Sequence, residues 1–147
     1  MCSWHSNTTV TAPATDVLAL LTEPDAIARW APVPFEVLDL DGERLESGSR
    51  ARVAGRLAGR SVEFDVDVLR ASQDRLELVA QGPISIDVKY RVRPTGSSSE
   101  IDASIAVKGS GLFGRALAAA TEALLAGGAL RMSLERLARE LRPAVAV

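Results

Sequence analysis

The sequence predicts an α+β domain in which a seven-stranded antiparallel sheet is covered by one long C-terminal helix. Two observations carry this prediction. The middle of the chain alternates apolar and polar side chains with period two, and the final part has apolar residues at helical spacing. Each alternating segment has one apolar face, so the sheet has a face that must be buried, and the C-terminal helix can bury it. The length of 147 residues fits a single domain, which we place at residues 1–147.

The chain begins with a strand and two short helices. Residues 3–10, SWHSNTTV, are rich in threonine and predict the first strand. Apolar residues from Val17 to Leu21 then follow at helical spacing. Thr22 can cap a second short helix that runs to Trp30 and ends at the prolines beyond it.

Six further strands follow, joined by short turns. In the second of them the arginines share one face and the small apolar residues share the other, which is typical of a half-buried antiparallel strand. The predicted strands are 35–41, 51–57, 62–68, 76–80, 84–92 and 101–107. The segment 35–41 alternates less regularly than the others, which predicts a bulge.

The C-terminal segment 116–142 predicts one continuous helix, although Gly127 and Gly128 lie side by side in its middle. Its predicted inner stripe consists of Ala116, Ala120, Ala123, Gly127, Leu130, Leu134, Ala138 and Leu141. Small residues occupy the first half of this stripe, and mainly leucines the second. Two interpretations remain open: a cavity between the small residues and the sheet, which we favour, or a structural role, either a close helix–sheet approach or a locally kinked helix.

These segments resemble the START-type, birch-pollen-allergen-like superfamily, and within it the bacterial polyketide cyclase/dehydrase and lipid-transport (SRPBCC) family. The resemblance rests on the stretches VTAPATDVLALLTEPDAIARWAP, GSRARVAGRLAGRSVEFDV, GPISIDVKYRVRP and GSGLFGRALAAATEALL. It implies a helix-grip fold, in which a curved sheet wraps around the C-terminal helix and encloses a cavity, with the two short helices at one end. Members of the family bind lipids, sterols or polyketides, and some cyclise polyketides.

The residues predicted to contact a ligand lie on the inner face of the sheet, on the C-terminal helix and at the entrance. They are Trp30, Phe35, Phe64, Val66, Val88, Tyr90, Leu117, Thr121, Leu124, Gly127, Gly128 and Arg131. Trp30 either forms part of the entrance or packs under the short helices. Tyr90 either donates to a backbone carbonyl in the core or orients a ligand. Arg131 either reaches solvent or meets an acidic head group.

The sequence offers little support for catalysis. Polar groups would have to project into the cavity, yet strand alternation places Arg50, Arg52, Arg56, Arg91 and Arg93 on the solvent face. Arg60 and Arg70 share the inward parity of Phe64, but they lie at strand ends and can reach only the rim. We predict no catalytic residue, no metal site and no cofactor, and we expect His5 to face solvent. The predicted function is therefore binding or transport of a hydrophobic, lipid- or polyketide-like molecule. The alternative is a polyketide cyclase, aromatase or dehydratase that acts in the same cavity, with Tyr90 and an arginine at the rim as its catalysts.

Composition limits the partners. The net charge is −2 and the pI about 5.5, and no basic stripe with interleaved aromatic residues is present, so we expect no nucleic-acid partner. No apolar run reaches the roughly 18 residues that span a bilayer, so no stable membrane insertion is expected. The opening MCSWHSNTTV has no charged region followed by an apolar run, and we expect a cytoplasmic protein. The oligomeric state, monomer or homodimer, stays open.

Overall fold

The computed structural model describes residues 2–23, 26–27, 30, 35–42, 44–57, 60–109 and 111–141. In chain order its elements are β1 (Cys2–Val10), α1 (Ala14–Thr22), β2 (Phe35–Leu40), β3 (Arg50–Leu57), β4 (Arg60–Ala71), β5 (Arg75–Gln81), β6 (Ile84–Thr95), β7 (Ser98–Gly109), α2 (Gly111–Ala126) and α3 (Ala129–Glu140). The strands form one antiparallel sheet in the order β1-β7-β6-β5-β4-β3-β2, which leaves β1 and β2 as its edges. The predicted α+β class and strand count are confirmed.

The alternation of the strands sorts their side chains onto two faces, as predicted. On the outer face, Arg50 pairs with Asp67 across β3 and β4 at 3.2 Å, and Arg52 pairs with Asp65 at 3.6 Å. The inner face of the sheet supplies most of the buried core, including Val62, Phe64, Val66, Val68, Leu76, Ile84, Tyr90, Val92, Ile101, Ile105 and Val107. The outer ion pairs are solvent-exposed and contribute about 0–1 kcal/mol each, so burial of the inner face dominates stability.

Two strands depart from regular pairing. The register of β2 against β3 shifts between Val37 and Asp39, which confirms the bulge predicted in this strand. A second shift, which the sequence analysis did not predict, lies in β4 between Val68 and Arg70. It leaves Leu69 61% exposed. Of the predicted second short helix, the described residues Ala26, Ile27 and Trp30 are helical, and residues 24–25 and 28–29 lie outside the described part.

The C-terminal segment forms two helices, so the prediction of one continuous helix is wrong. Gly128 has φ +97° and ψ 17°, a left-handed conformation that glycine adopts without the steric cost of a side chain. Its N–H donates to the Leu125 carbonyl at 3.0 Å, and its own carbonyl accepts the Met132 N–H at 2.9 Å. The glycine pair therefore ends α2 and begins α3, which agrees with the kink in the second interpretation.

The buried faces of the two helices are out of phase with each other. The buried residues of α3 are Leu130, Ser133, Leu134 and Leu137. The buried described residues of α2 are Gly114, Leu117, Ala118, Thr121 and Leu125. Continuing the α3 stripe backward through the glycine pair leads to Ala116, Ala123 and Gly127, which are exposed. The predicted stripe is right for Leu130 and Leu134 and wrong for these small residues, because the break changes the helix phase.

A close approach of helix to sheet does occur, but at the N-terminal end of α2. A Cβ added to Gly114 would lie 2.8 Å from the carbonyl oxygen of Pro83, in the turn between β5 and β6. A Cβ added to Gly127 would meet only carbonyl oxygens of its own helix, at 3.3 and 3.4 Å. Gly114 is therefore required by packing, whereas Gly127 faces neither the sheet nor a cavity.

Candidate functional site

An apolar cavity lies between the inner face of the sheet and α2. Its volume is about 170 Å³. It is lined by Ile27, Trp30, Phe35, Val37, Leu40, Leu45, Ala51, Val53, Gly55, Phe64, Val66, Leu76, Leu78, Ala80, Ile86, Val88, Tyr90, Ile105, Thr121 and Leu125. Strands β2 to β6 thus supply most of the wall, and α2 closes it through Thr121 and Leu125.

The space exists because several inward positions of the sheet carry very small residues. Ala51 and Gly55 are inward positions of β3, and Ala80 is an inward position of β5. Larger side chains at these positions would fill the space against α2, since protein interiors normally pack without large voids. The small residues that create the cavity are therefore on the sheet, and the prediction that they lie on the C-terminal helix is wrong.

Tyr90 is the lining residue with an unsatisfied polar group. It is 1% exposed, and its hydroxyl has no hydrogen-bond partner among the described residues. The Ser133 hydroxyl lies nearby, but it donates to the Trp30 carbonyl and does not complete a hydrogen bond with Tyr90. Burial raises the pKa of Tyr90 to about 12, against smaller lowering effects of Ser133 and Arg136. The hydroxyl is therefore a protonated, unused donor at neutral pH.

The other polar side-chain groups of the lining already have partners. The indole N–H of Trp30 donates to the Leu20 carbonyl at 3.0 Å. The hydroxyl of Thr121 donates to the Leu117 carbonyl, one turn earlier in α2, at 3.0 Å. None of the lining residues carries a charged side chain. The arrangement can thus bury an apolar molecule, and the buried hydroxyl of Tyr90 is the one side-chain group of the lining residues without a partner among the described residues.

The structure brings together seven of the residues predicted to contact a ligand. The lining contains Trp30, Phe35, Phe64, Val66, Val88, Tyr90 and Thr121. Trp30 is 3% exposed and packs against α1 through its hydrogen bond, as well as lining the cavity, which agrees with the packing interpretation.

The remaining predicted residues lie elsewhere. Leu117 is buried outside the lining, Leu124 is 44% exposed, and Gly127 is exposed. Gly128 forms the break between α2 and α3. Arg131 is exposed, with its guanidinium 3.3 Å from where a Cβ on Gly128 would be, and it borders a separate polar depression that includes His5. His5 is exposed, as predicted.

Several residues that line the cavity were not among the predicted ligand contacts. The alternation of inward and outward positions along the strands is enough to identify some of them. Leu76, Leu78 and Ala80 share the inward face of β5, so strand alternation alone was enough to include them. Leu45 gives no such signal, because it lies in the connection between β2 and β3 and only the fold brings it to the cavity. Within the described ranges, no group of three His, Cys, Asp or Glu side chains is placed to hold a metal ion.

The chain is similar to a known protein family over nearly its whole length. The family model described as polyketide cyclase/dehydrase and lipid transport matches residues 1–142. No sequence among the curated proteins matches the chain.

Solved structures share the fold at low sequence identity. A START superfamily protein from Mycobacterium smegmatis is 16% identical with a TM-score of 0.70, over 95% of this chain and 96% of that one. Ara h 8.0201 is 10% identical with a TM-score of 0.59, over 92% and 97%. DynU16, from the dynemicin biosynthetic locus, is 19% identical with a TM-score of 0.57, over 95% of this chain and 46% of that one. These neighbours establish the helix-grip fold. Within the described part of the chain, no helix has the length and apolar character needed to cross a membrane.

Proposed function

Because the chain belongs to the polyketide cyclase/dehydrase and lipid-transport family, we propose that it binds a hydrophobic small molecule in the cavity between the sheet and α2. One observation carries the proposal. The cavity is walled by apolar side chains, and its polar groups are internally satisfied except for the hydroxyl of Tyr90. The free energy falls when an apolar molecule replaces solvent against such a surface.

The part of the ligand that enters the cavity is uncharged. No lining side chain can neutralise a buried carboxylate or ammonium group, and an unpaired charge is far more costly to bury than an apolar group. A charged end would have to remain outside, in contact with solvent. A ligand whose carbonyl or hydroxyl oxygen reached the buried Tyr90 hydroxyl would remove the cost of that unsatisfied group, about 1–3 kcal/mol.

The volume limits the size of that part. An apolar cavity of about 150 Å³ accommodates benzene in another protein, and the cavity here is about 170 Å³. It therefore suits one ring or a short alkyl segment, and a whole lipid or polyketide would require the walls to separate. A ligand that buries about 250 Å² of apolar surface gains roughly 6 kcal/mol, which corresponds to a Kd of some tens of micromolar.

Cyclase or dehydratase activity is the second candidate, and Tyr90 is the observation in its favour. A protonated tyrosine could polarise a substrate carbonyl, and DynU16 comes from a biosynthetic locus. The reaction would also need a base to remove a proton, and the lining residues include no His, Asp, Glu or Lys. Binding without catalysis is therefore the better-supported function.

The test compares two identical substitutions on one strand. Ala51→Leu fills the cavity, whereas Ala54→Leu lies on the opposite face of β3 and is absent from the lining. Isothermal titration with the neutral probes ethylbenzene and propylbenzene should give micromolar binding to wild type and to Ala54→Leu. Binding to Ala51→Leu should be at least about tenfold weaker, the equivalent of about 1.4 kcal/mol.

Two results would contradict the proposal. One is the absence of binding of both neutral probes to wild type, together with native mass spectra free of any co-purified molecule. The other is unchanged affinity in Ala51→Leu. Circular dichroism checks that this variant folds, and Ala80→Val is the milder replacement at another lining position if it does not.

A further inference from the structure

The solvent-facing side of α2 is as apolar as its buried side. Its exposed apolar residues, here called the outer face of α2, are Leu112, Ala116, Ala119, Ala123, Leu124 and Ala126. Leu112 is 90% exposed and Leu124 is 44% exposed. A surface helix normally carries polar residues opposite its buried stripe, and a helix that is apolar all round is normally covered on both sides.

The outer face has the spacing of a helix–helix seam. Leu112, Ala116, Ala119, Ala123 and Ala126 follow one another at intervals of four, three, four and three residues. This is the a/d pattern with which one helix packs along another. The four alanines would allow the two helix backbones to approach closely, and Leu112 would pack at the end of the seam.

Two charged residues specify the direction of the second helix. Arg115 and Glu122 lie seven residues apart on the same edge of the outer face, so they are aligned two turns apart. Neither forms an ion pair or hydrogen bond with another described residue. A parallel copy of α2, related by a two-fold axis along the seam, would place the two charged edges on opposite sides of the seam, where they cannot pair. An antiparallel copy would place each Arg115 beside the Glu122 of the other helix, so that two equivalent ion pairs form.

We propose that a second copy of this chain covers the outer face, through an antiparallel pair of α2 helices related by a two-fold axis near Ala119. The self-complementary charges are what a two-fold interface requires, since each patch must recognise itself. A lipid surface fits less well. A helix that lies on an anionic membrane carries lysines and arginines on its polar face, whereas the charged residues of α2 are one Arg and one Glu.

The pair is expected to be weak and reversible. A helix of 16 residues is about 24 Å long, and its outer face covers less than the roughly 800 Å² per partner of a standard interface. The cavity lies on the opposite side of α2, where Thr121 and Leu125 face it. Ligand affinity should therefore be independent of the outer-face substitutions.

Sedimentation velocity from about 5 to about 500 μM covers the range of a micromolar dimer. Wild type should shift from monomer to dimer across this range. Ala119→Glu places two carboxylates at the proposed axis and should weaken dimerisation by more than about tenfold, with an unchanged circular dichroism spectrum. Leu69→Glu, at a position 61% exposed on β4, is the matched control and should dimerise like wild type.

The charge pair gives the sharper test. Arg115→Glu should weaken dimerisation, because it places Glu opposite Glu122. Adding Glu122→Arg to the same chain should restore it, because the exchanged charges again pair in the antiparallel arrangement. A wild type that stays monomeric at every concentration, or a double variant that fails to recover, overturns the proposal. Binding of monomeric protein to phosphatidylcholine/phosphatidylglycerol vesicles, lost in Ala119→Glu, would also overturn it in favour of a lipid surface.

Discussion

The hydroxyl of Ser133 donates a 2.5 Å hydrogen bond to the carbonyl oxygen of Trp30 and ties α3 to the segment that closes the cavity. Ser133 is fully buried. The indole of Trp30 in turn packs edge-on against the ring of Tyr90, with the ring centroids 5.2 Å apart at an interplanar angle of 77°. One buried serine thus supports both aromatic walls of the site.

Removing this hydroxyl should destabilise the protein. Ser133→Ala leaves the Trp30 carbonyl without its donor, and a buried unsatisfied carbonyl costs about 1–3 kcal/mol. Urea unfolding followed by circular dichroism measures the change. Ser3→Ala, at an exposed position of β1, is the control and should stay within about 0.5 kcal/mol of wild type. A Ser133→Ala variant as stable as wild type would show that the bond contributes nothing.

Removing the hydroxyl of Tyr90, in contrast, should not destabilise the protein. Tyr90→Phe removes a buried donor that has no partner among the described residues and keeps the ring that packs against Trp30. We expect stability to be unchanged or higher by up to about 1 kcal/mol. Affinity for a ketone such as acetophenone should fall while affinity for ethylbenzene stays constant. A loss of stability above about 1 kcal/mol would instead indicate that the hydroxyl has a partner.

Alkaline titration reports the same group directly, since Tyr90 is the single tyrosine of the chain. Burial raises its pKa in the folded state from 10.0 to about 12. Tyrosinate absorbance should therefore rise with a midpoint near pH 12 while the protein is folded, and near pH 10 in denaturant.

The sign of the accompanying stability change follows from the raised pKa. Between pH 10 and 12 the unfolded tyrosine loses its proton while the folded one keeps it, so the unfolded state is favoured. The contribution of Tyr90 is fully present below pH 10 and is lost as the pH rises toward 12. In Tyr90→Phe the free energy of unfolding should fall less over this range. Equal falls in both proteins would contradict the pKa assignment.

Strand alternation allowed the inner face of the sheet to be predicted, and Phe64, Val66 and Val88 line the cavity where parity placed them. The inner face of the C-terminal segment was harder to predict. The predicted stripe takes its position from the leucines of α3 and continues through the glycine pair, although Gly128 breaks the helix and shifts the phase of α2. Leu124 and Gly127 were assigned to the site for this reason, and they face away from it.

The close approach at Gly114 depends on tertiary structure, since its neighbour is the carbonyl of Pro83, thirty-one residues earlier. Gly114→Ala should therefore lower the free energy of unfolding by about 1–3 kcal/mol, because the backbones must separate to admit the methyl group. Thermal unfolding followed by circular dichroism tests this. A variant as stable as wild type would show that α2 is free to move away from the turn.

The two adjacent glycines should respond differently to the same substitution. Gly128→Ala forces a side chain into a left-handed conformation at φ +97° and should cost about 1–2 kcal/mol. Gly127→Ala meets only carbonyl oxygens of its own helix, at 3.3 Å or more, at an exposed position. It should change stability by no more than about 1 kcal/mol in either direction, since the gain in helix propensity offsets the tight contact.

Neither variant should lose the affinity for neutral probes, because both residues lie outside the lining. Loss of binding in Gly127→Ala, with the fold retained, would return this residue to the site.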